Sequence, residues 1–208
     1  MKILGISGSP RKKGSTAELV RTVLEATGLE TEFISLGGRK ISACTYCLAC
    51  ARDNVCKLKD DMQELREKLV TADAFVIGGC NMWSTLNGLT HNFLERFFQF
   101  HHQGRSPLAG KPAVAVGVGG GDGRPPADVI NTMFRNFGLQ SVGTVTAQGA
   151  FACYSCGLGH TCDISLVCGL DESGNVDMGC KPDLTRQPHV LDEARRLGQT
   201  LRKTLGRT

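Results

Sequence analysis

Short apolar segments recur along the chain and predict the strands of one sheet. They are KILGIS at 2–7, EFISL at 32–36, AFVIG at 74–78, AVAVGV at 113–118 and VGTVTA at 142–147. Apolar runs of this length, bounded by residues that favour turns, are typical of buried strands. The sequence therefore predicts five strands spread over the first three quarters of the chain.

Between these segments, apolar residues recur at helical spacing. This periodicity predicts helices over 16–27, 62–70, 87–100, 129–137 and 190–205. Strand and helix alternate five times, which predicts a parallel sheet with helices on both faces, the doubly wound α/β class. The sequence shows neither an internal repeat nor a linker, so we expect a single domain over residues 1–208.

Local signals mark several helix ends. Gly28 and Gly138 follow the last periodic residues of two helices, where glycine commonly ends a helix. Asp61, with Glu64 three residues later, forms a capping-box signature. We therefore expect the Asp61 side chain to cap the helix that begins there.

Two long stretches, 37–60 and 150–186, interrupt the regular alternation. Loops longer than about 12–15 residues are uncommon in compact domains unless they are functional or otherwise organised. Nine of the ten cysteines lie in these two stretches, and Cys80 stands alone. Bound inorganic centres would supply the missing organisation.

Length and charge exclude several classes of protein. The 208 residues are enough for one domain with a full core, and the net charge of +4 is too small and scattered to predict nucleic-acid binding. No apolar run approaches the roughly 18–20 residues of a membrane span, and the first ten residues lack the features of a signal peptide. We therefore expect a cytoplasmic protein, and cysteines in a reducing cytosol are not expected to pair as disulfides.

The loop after the first strand, SGSPRKKGST, concentrates hydroxyls and basic residues before a helix. Exposed backbone N–H groups and the positive end of the helix dipole make such a position an anion site. A bound phosphate would also offset the basic run at 11–13. A solvated basic turn with a Ser or Thr cap is an equally good interpretation of this loop alone.

The first cysteine group has the spacing C-x2-C-x2-C-x5-C, formed by Cys44, Cys47, Cys50 and Cys56. Three thiolates at steps of three can converge in a tight loop, and the fourth completes a four-sulfur site. Zinc sites with four cysteines usually use two separated C-x2-C pairs. The spacing favours a [4Fe–4S] cluster over zinc, and both over four free thiols.

The second group has the spacing C-x2-C-x5-C-x5-C-x11-C, formed by Cys153, Cys156, Cys162, Cys168 and Cys180. Five cysteines in twenty-eight residues predict a metal site, either a second iron–sulfur cluster or zinc. Cys153, Cys156 and Cys162 are candidate ligands, with Cys168, Cys180 or His160 as the fourth. The alternative is an expanded loop with unpaired thiols.

Two motifs carry a family resemblance. The sequence GSPRKKGST followed by GGCNMWSTLNGLTHNFLER resembles the NADPH-dependent FMN reductase group of the flavodoxin-like superfamily. With four cysteines between these motifs, residues 1–148 resemble the iron–sulfur flavoproteins in particular. The resemblance implies a flavodoxin-like sheet of five parallel strands in the order 2-1-3-4-5.

The resemblance also implies three sets of FMN-binding residues. The residues around the phosphate would be Ser9, Arg11, Ser15 and Thr16. The residues lining the isoalloxazine ring would be Cys80, Asn81, Met82, Trp83, Ser84 and Thr85, and those at its other edge would be Gly119, Gly120, Gly121 and Asp122. Trp83 and Thr85 fit the family pattern G-S-P-x-Y-[FW]-G-S, but Gly79, Cys80, Met82 and Ser84 replace its Ser, Pro, Tyr and Gly.

The resemblance implies an FMN- and iron–sulfur-dependent oxidoreductase. Electrons would enter from a ferredoxin-like donor or NAD(P)H and leave to a small acceptor such as dioxygen, peroxide or a quinone-like compound. A homodimer or homotetramer would bring the cluster of one subunit near the FMN of another. We expect no catalytic side chain beyond the cofactors and a structural role for His91. The alternatives are a plain NAD(P)H:FMN reductase with structural zinc at both cysteine groups, and a cluster-based redox or iron sensor.

Overall fold

A computed structural model describes residues 1–104 and 106–206. Its strands are β1 (Lys2–Ser7), β2 (Glu30–Ser35), β3 (Ala74–Met82), β4 (Thr85–Leu86), β5 (Pro112–Gly119) and β6 (Gln140–Gln148). Five of them form a parallel sheet in the order β2-β1-β3-β5-β6, and β4 pairs antiparallel with the end of β3. The predicted order of five parallel strands is confirmed, and the two-residue β4 is an addition that the sequence pattern did not predict.

Five α-helices cover the sheet. They are α1 (Ser15–Thr27), α2 (Met62–Thr71), α3 (Gly88–Glu95), α4 (Arg124–Asn136) and α5 (Pro188–Leu205). One apolar core packs α1 and α5 against one face, and a second core packs α2, α3 and α4 against the other. The central strands β1, β3 and β5 are buried on both faces along most of their length, which explains their continuous apolar sequences. Within the described residues, no helix combines the length and apolarity needed to cross a membrane.

Two predicted details differ in the structure. The helix predicted over 87–100 is an α-helix as far as Glu95 and continues as a 3-10 helix over Arg96–Phe100. The predicted capping box at Asp61 is wrong, because its carboxylate accepts the Lys40 N–H at 2.7 Å, and the Asp60 carboxylate accepts the Met62 N–H at 3.1 Å. Asp60 and Asp61 thus hold the end of the long loop in place through backbone hydrogen bonds. The local capping-box signature at 61–64 does not indicate this role.

The two long interruptions contain defined turns. The first runs from β2 to α2 and packs against α3 and the 3-10 helix after it. The second contains three short 3-10 helices, at Ala152–Tyr154, Met178–Cys180 and Leu184–Arg186, and an isolated antiparallel bridge between Leu170 and Val176. Both stretches are therefore folded, although regular secondary structure contributes little to either.

Candidate functional site

Asn87 ties together the two loops that follow β1 and β3. Its side-chain N–H donates to the Gly8 carbonyl at 2.8 Å, and its side-chain oxygen accepts the Cys80 N–H at 3.0 Å and the Thr90 hydroxyl at 2.7 Å. A Cβ on Gly8 would lie 1.9 Å from the Thr90 hydroxyl oxygen, so only glycine fits there. The sequence analysis missed Asn87, which its place immediately before α3 could have suggested.

The loop between β1 and α1 ends in an open helix N-terminus. Gly14 is the N-cap residue, and within the described chain no side chain caps the first turn. The first backbone N–H groups of a helix have no partner inside the helix and favour anions. A serine or threonine cap, the alternative interpretation of this loop, is not what the structure shows.

The polar side chains of this loop are concentrated at the same helix end. Ser9 is buried and its hydroxyl accepts the Arg11 N–H at 3.3 Å, while the Arg11 guanidinium donates to the Ala150 carbonyl at 3.1 Å. The two remaining phosphate-loop candidates, Ser15 and Thr16, begin α1. Ser7 is fully buried, and its hydroxyl oxygen has no partner among the described residues.

The second predicted flavin loop is a β-hairpin. The strand predicted to end at residue 78 continues to Met82, then turns through Trp83 and Ser84 into β4. These two turn residues have φ of 54° and 61°, as a type I′ turn requires, because cross-strand pairing to Thr85 closes the hairpin there. The Trp83 side chain is 96 % exposed at the tip.

The loop over residues 119–122, predicted to lie at the other edge of the flavin ring, packs against this hairpin. The Asn81 side chain donates to the Asp122 carbonyl at 2.8 Å, and the Gln148 side chain donates to the Gly120 carbonyl at 3.1 Å. The Phe151 ring packs so closely on Gly120 that a Cβ there would lie 2.4 Å from it. Residues 119–122 are thus brought beside residues 80–82, and Ala150 and Phe151 join the same edge without having been predicted.

Cys80 joins the hairpin to the phosphate loop. Burial raises the pKa of its thiol, and the neighbouring Ser9 hydroxyl and Arg11 guanidinium oppose that rise without cancelling it. Cys80 is therefore a neutral thiol at neutral pH.

The first cysteine loop docks on α3 and the 3-10 helix that follows it. Glu95 accepts the Cys44 N–H at 3.2 Å, and Gln99 accepts the Cys56 N–H at 3.1 Å. The His102 ring nitrogen Nε2 lies 3.2 Å from the Cys50 sulfur. Contacts with Glu95, Gln99 and His102, on and just after one helical segment, therefore position three of the four cysteines.

Tight reversals in the backbone bend this loop around its cysteines. Tyr46, Leu48 and Asn54 have positive φ between 53° and 56°, which costs a non-glycine residue about 1–2 kcal/mol. The Asn54 side-chain oxygen accepts the N–H groups of His102 and Gln103, at 3.2 and 3.0 Å. Such strain persists where the surrounding contacts impose it, and it is concentrated at functional sites.

The four thiols are close enough to influence one another. Burial, together with the nearby Cys56, Cys44 and Cys47 thiols, raises the pKa of Cys50. In contrast, the Ala49 N–H and the Thr45 side chain lower the pKa of the exposed Cys47 thiol.

A buried arginine, Arg96, contacts the first cysteine loop at Cys56. Arg96 is 1 % exposed and pairs with both carboxylate oxygens of Asp60, at 2.5 and 3.2 Å. The same guanidinium donates to the Cys56 sulfur at 3.2 Å. Burial opposes ionisation of Asp60, but hydrogen bonds from Arg96, Ser42 and Met62 prevail and lower its pKa. Arg96 and Gln99, together with Cys56 and residues 62, 63, 66 and 67 of α2, also border a cavity of about 240 Å³.

The structure divides the second cysteine group. Cys168 and Cys180 form a disulfide with their Cα atoms 6.1 Å apart, whereas Cys153, Cys156 and Cys162 are free. The expectation that no cysteines pair is wrong for Cys168 and Cys180, because the bridge between Leu170 and Val176 brings their segments together. An Asp177 carboxylate oxygen lies within 4.8 Å of both sulfurs, and His160 is outside this close group.

Comparison with known proteins identifies the family. The family model of NADPH-dependent FMN reductases matches residues 1–152. An iron-sulfur flavoprotein of Archaeoglobus fulgidus is 30% identical over 154 residues, which cover 72% of this chain and 69% of the relative. The chain belongs to the iron–sulfur flavoprotein family.

Two further comparisons describe the extent of this similarity. An iron-sulfur flavoprotein of Methanocaldococcus jannaschii is 34% identical over 126 residues, 58% of this chain and 65% of the relative, so the match spans just under two thirds of that relative. The crystal structure of RosB with a bound 8-demethyl-8-formylriboflavin-5'-phosphate intermediate superposes with a TM-score of 0.69 at 17% identity. That match covers 100% of this chain and 81% of RosB and shows a shared fold.

The described residues fit the cofactors in the family name. The orphaned Ser7 hydroxyl and the uncapped start of α1 supply donors for a phosphate. The cysteine loop supplies four sulfurs, one of which accepts a hydrogen bond from a buried guanidinium, as iron–sulfur thiolates commonly do. Neither fit depends on the residues at 80–85 that depart from the family pattern.

Proposed function

We propose that the protein is an FMN- and iron–sulfur-dependent oxidoreductase. It would pass electrons between a ferredoxin-like donor or NAD(P)H and a small acceptor. One observation carries this proposal. The continuous segment from Cys80 to His102 contributes the flavin hairpin at its start and contacts the cysteine loop at its end. The segment from Asn87 to Arg96 is nearly all α-helical, so roughly 14 Å of rigid structure separates the two sites.

The two cofactors would supply different electron chemistry. When bound, FMN exchanges electrons singly or in pairs and a [4Fe–4S] cluster exchanges them singly, which suits a converter between the two kinds of carrier. The chain's own residues would hold and orient these groups. Ser9, Arg11, Ser15 and Thr16 would bind the phosphate, and the backbone of 80–85 and 119–122 would flank the ring.

The spacing of the first four sulfurs supports a cluster over structural zinc. Cys44, Cys47, Cys50 and Cys56 follow one another at C-x2-C-x2-C-x5-C, whereas four-cysteine zinc sites usually use two separated C-x2-C pairs. Three thiolates at steps of three can converge in a tight loop on the iron atoms of one cluster, and the fourth completes a four-sulfur site. The zinc-bearing plain reductase is accordingly the weaker alternative.

A subunit interface near both sites belongs to the same proposal. Trp83 and Met82 on the hairpin, and Tyr46 and Leu48 on the cysteine loop, are large apolar side chains with 47–96 % of their surface exposed. Exposed apolar groups of this size commonly mark association surfaces. A homodimer or homotetramer that covers them would bring the cluster of one subunit toward the flavin of another.

Ferredoxin-driven reduction of the flavin tests the function. We expect Cys47→Ser to slow flavin bleaching by reduced ferredoxin at least about tenfold, because a missing cluster ligand lowers cluster occupancy. Flavin content should stay near that of the parent, since the hydrogen bonds described for the Cys47 thiol, with Ala49 and Thr45, lie within its own loop. Cys162→Ser is the matched control and should reduce at the parental rate. Equal rates in all three proteins would remove the cluster from the electron path.

A further inference from the structure

The second cysteine segment keeps a defined fold with hardly any apolar core. Across the described residues 151–183, Gly159 alone is buried. Three of its large apolar side chains, Leu158, Ile164 and Leu166, are 56–83 % exposed. A unit this small cannot be stabilised by hydrophobic burial and usually depends on cross-links or a metal ion.

A short reversal brings two of its cysteines together. Leu170 pairs with Val176 in an antiparallel bridge, and the Asp177 N–H donates to the Gly169 carbonyl at 3.0 Å. This pairing aligns the segments that contain Cys168 and Cys180. Their sulfurs and an Asp177 carboxylate oxygen form a close group, in which each of the three atoms lies within 4.8 Å of the others.

Cys153 and Cys156 lie at a turn in which backbone N–H groups donate hydrogen bonds to their sulfurs. The Leu158 N–H donates to the Cys156 sulfur at 3.4 Å, and Gly157 provides the positive φ of 79° that this turn needs. The Leu166 N–H donates to the Cys153 sulfur at 3.5 Å. Metal-bound cysteine sulfurs commonly accept hydrogen bonds of this kind.

Two contacts join this turn to the reversal. The Cys168 N–H donates to the Tyr154 hydroxyl at 2.9 Å. The carbonyl of Cys153 and a Val176 methyl group approach the same side of Gly159, at 2.7 and 2.9 Å from the position of a Cβ there. The two pairs of cysteines therefore belong to one small folded unit.

We propose that Cys153, Cys156, Cys168 and Cys180 form a site for one structural zinc ion. Each bound thiol releases its proton to solvent and donates a sulfur lone pair to the metal, so binding requires the reduced Cys168–Cys180 pair and excludes its disulfide. The site is separate from the first cysteine group and does not rest on the function proposed above. The unit begins at Phe151, whose ring packs on Gly120, so the ion would hold that ring in place.

Metal analysis of four full-length proteins tests the site. Parent, Cys156→Ser, Cys180→Ser and Cys162→Ser are purified anaerobically under reducing conditions and assayed for zinc, iron and acid-labile sulfide. Cys162 is the matched control, because its thiol is exposed and, among the described residues, accepts no backbone N–H like those directed at the Cys153 and Cys156 sulfurs. We expect about one zinc per chain in the parent and control, a loss of at least about tenfold in the other two, and unchanged iron and sulfide.

Several outcomes would overturn the site. They are a parent without zinc, a persistent Cys168–Cys180 disulfide under reduction, zinc loss in Cys162→Ser, or a fall in iron and sulfide in Cys156→Ser. Replacement of zinc by Co²⁺ in the unaltered protein gives a second readout that needs no variant. The absorption of tetrahedral Co²⁺-thiolate should appear, and its absence would contradict the four-sulfur site.

Discussion

Arg96 is the single side chain that connects the cysteine loop most firmly to the fold. It is fully buried, binds Asp60 through two nitrogens and donates to the Cys56 sulfur. Removing one partner of a buried ion pair leaves an uncompensated charge, which costs about 3–5 kcal/mol. A hydrogen bond to a cluster thiolate also favours the reduced cluster, because it offsets the added negative charge.

Replacement of Arg96 should therefore have two separable effects. Arg96→Met is expected to lower the free energy of unfolding by about 3–5 kcal/mol, and Asp60→Asn in the same chain should restore part of it. The double variant should still show a more negative cluster potential than the parent, because the donor to Cys56 remains absent. Denaturant unfolding and an anaerobic redox titration measure the two effects, and an unchanged potential would contradict the role assigned to Arg96.

At the scale of single residues, the sequence indicated candidate ligands but not the side chains that position them. The cysteine spacing is local, so the order of residues alone was enough to indicate Cys44, Cys47, Cys50 and Cys56. Arg96 contacts Cys56 across a separation of forty residues, and Asn87 contacts Gly8 across seventy-nine. Only the tertiary fold creates such pairs, and for that reason the sequence analysis assigned no role to Arg96 or Asn87.

Among the elements, the β3–β4 hairpin differs most from its prediction. A type I′ turn normally uses glycine or asparagine, and the Trp83–Ser84 sequence carries neither signal. The parallel strands and α-helices were predictable because their apolar periodicity records which faces are buried. The hairpin was not, because its turn residues adopt a conformation that their own preferences disfavour.

Glycine at the second turn position should stabilise this hairpin. Ser84→Gly removes the cost of a positive φ and is expected to raise the free energy of unfolding by about 0.5–1 kcal/mol. Ser173→Gly, at an exposed site that lacks a positive φ, should be neutral or slightly destabilising. Denaturant midpoints compare the two, and a destabilised Ser84→Gly protein would show that this serine makes a contact that outweighs its strain.

An ion cluster links three elements at the sheet edge. Glu32 on β2 binds Lys2 of β1 at 2.7 Å and Lys68 of α2 at 2.6 Å. The hydrogen bond from Lys2, followed by that from Lys68, lowers the pKa of Glu32 below its ordinary value of 4.5. Ionised Glu32 therefore contributes its full stabilisation above pH 4.5 and loses it as the pH falls through the lowered pKa.

Neutralisation of Glu32 should flatten the acid side of the stability profile. The free energy of unfolding of Glu32→Gln is expected to fall less steeply than that of the parent as the pH decreases below 4.5. Denaturant unfolding at a series of pH values provides the comparison. Parallel profiles over that range would show that the Lys2 and Lys68 contacts do not stabilise the folded state.

For the whole molecule, the sheet brings two sites to one edge. The β1, β3 and β5 loops meet where parallel strands end, and the cysteine loop follows β2 at the same edge. This general arrangement was predictable from the alternation of strands and helices. The separation of the second cysteine group into its own folded unit was not, because spacing alone does not determine which thiols converge.

The cofactor content of anaerobically purified protein tests the central claim most directly. We predict about four iron and four acid-labile sulfide per chain from the first cysteine group, together with about one FMN and the visible absorption of both. The iron and sulfide should disappear in Cys47→Ser while FMN remains. Zinc in place of iron at the first group, or protein without FMN, would contradict the proposal that this chain joins a cluster to a flavin.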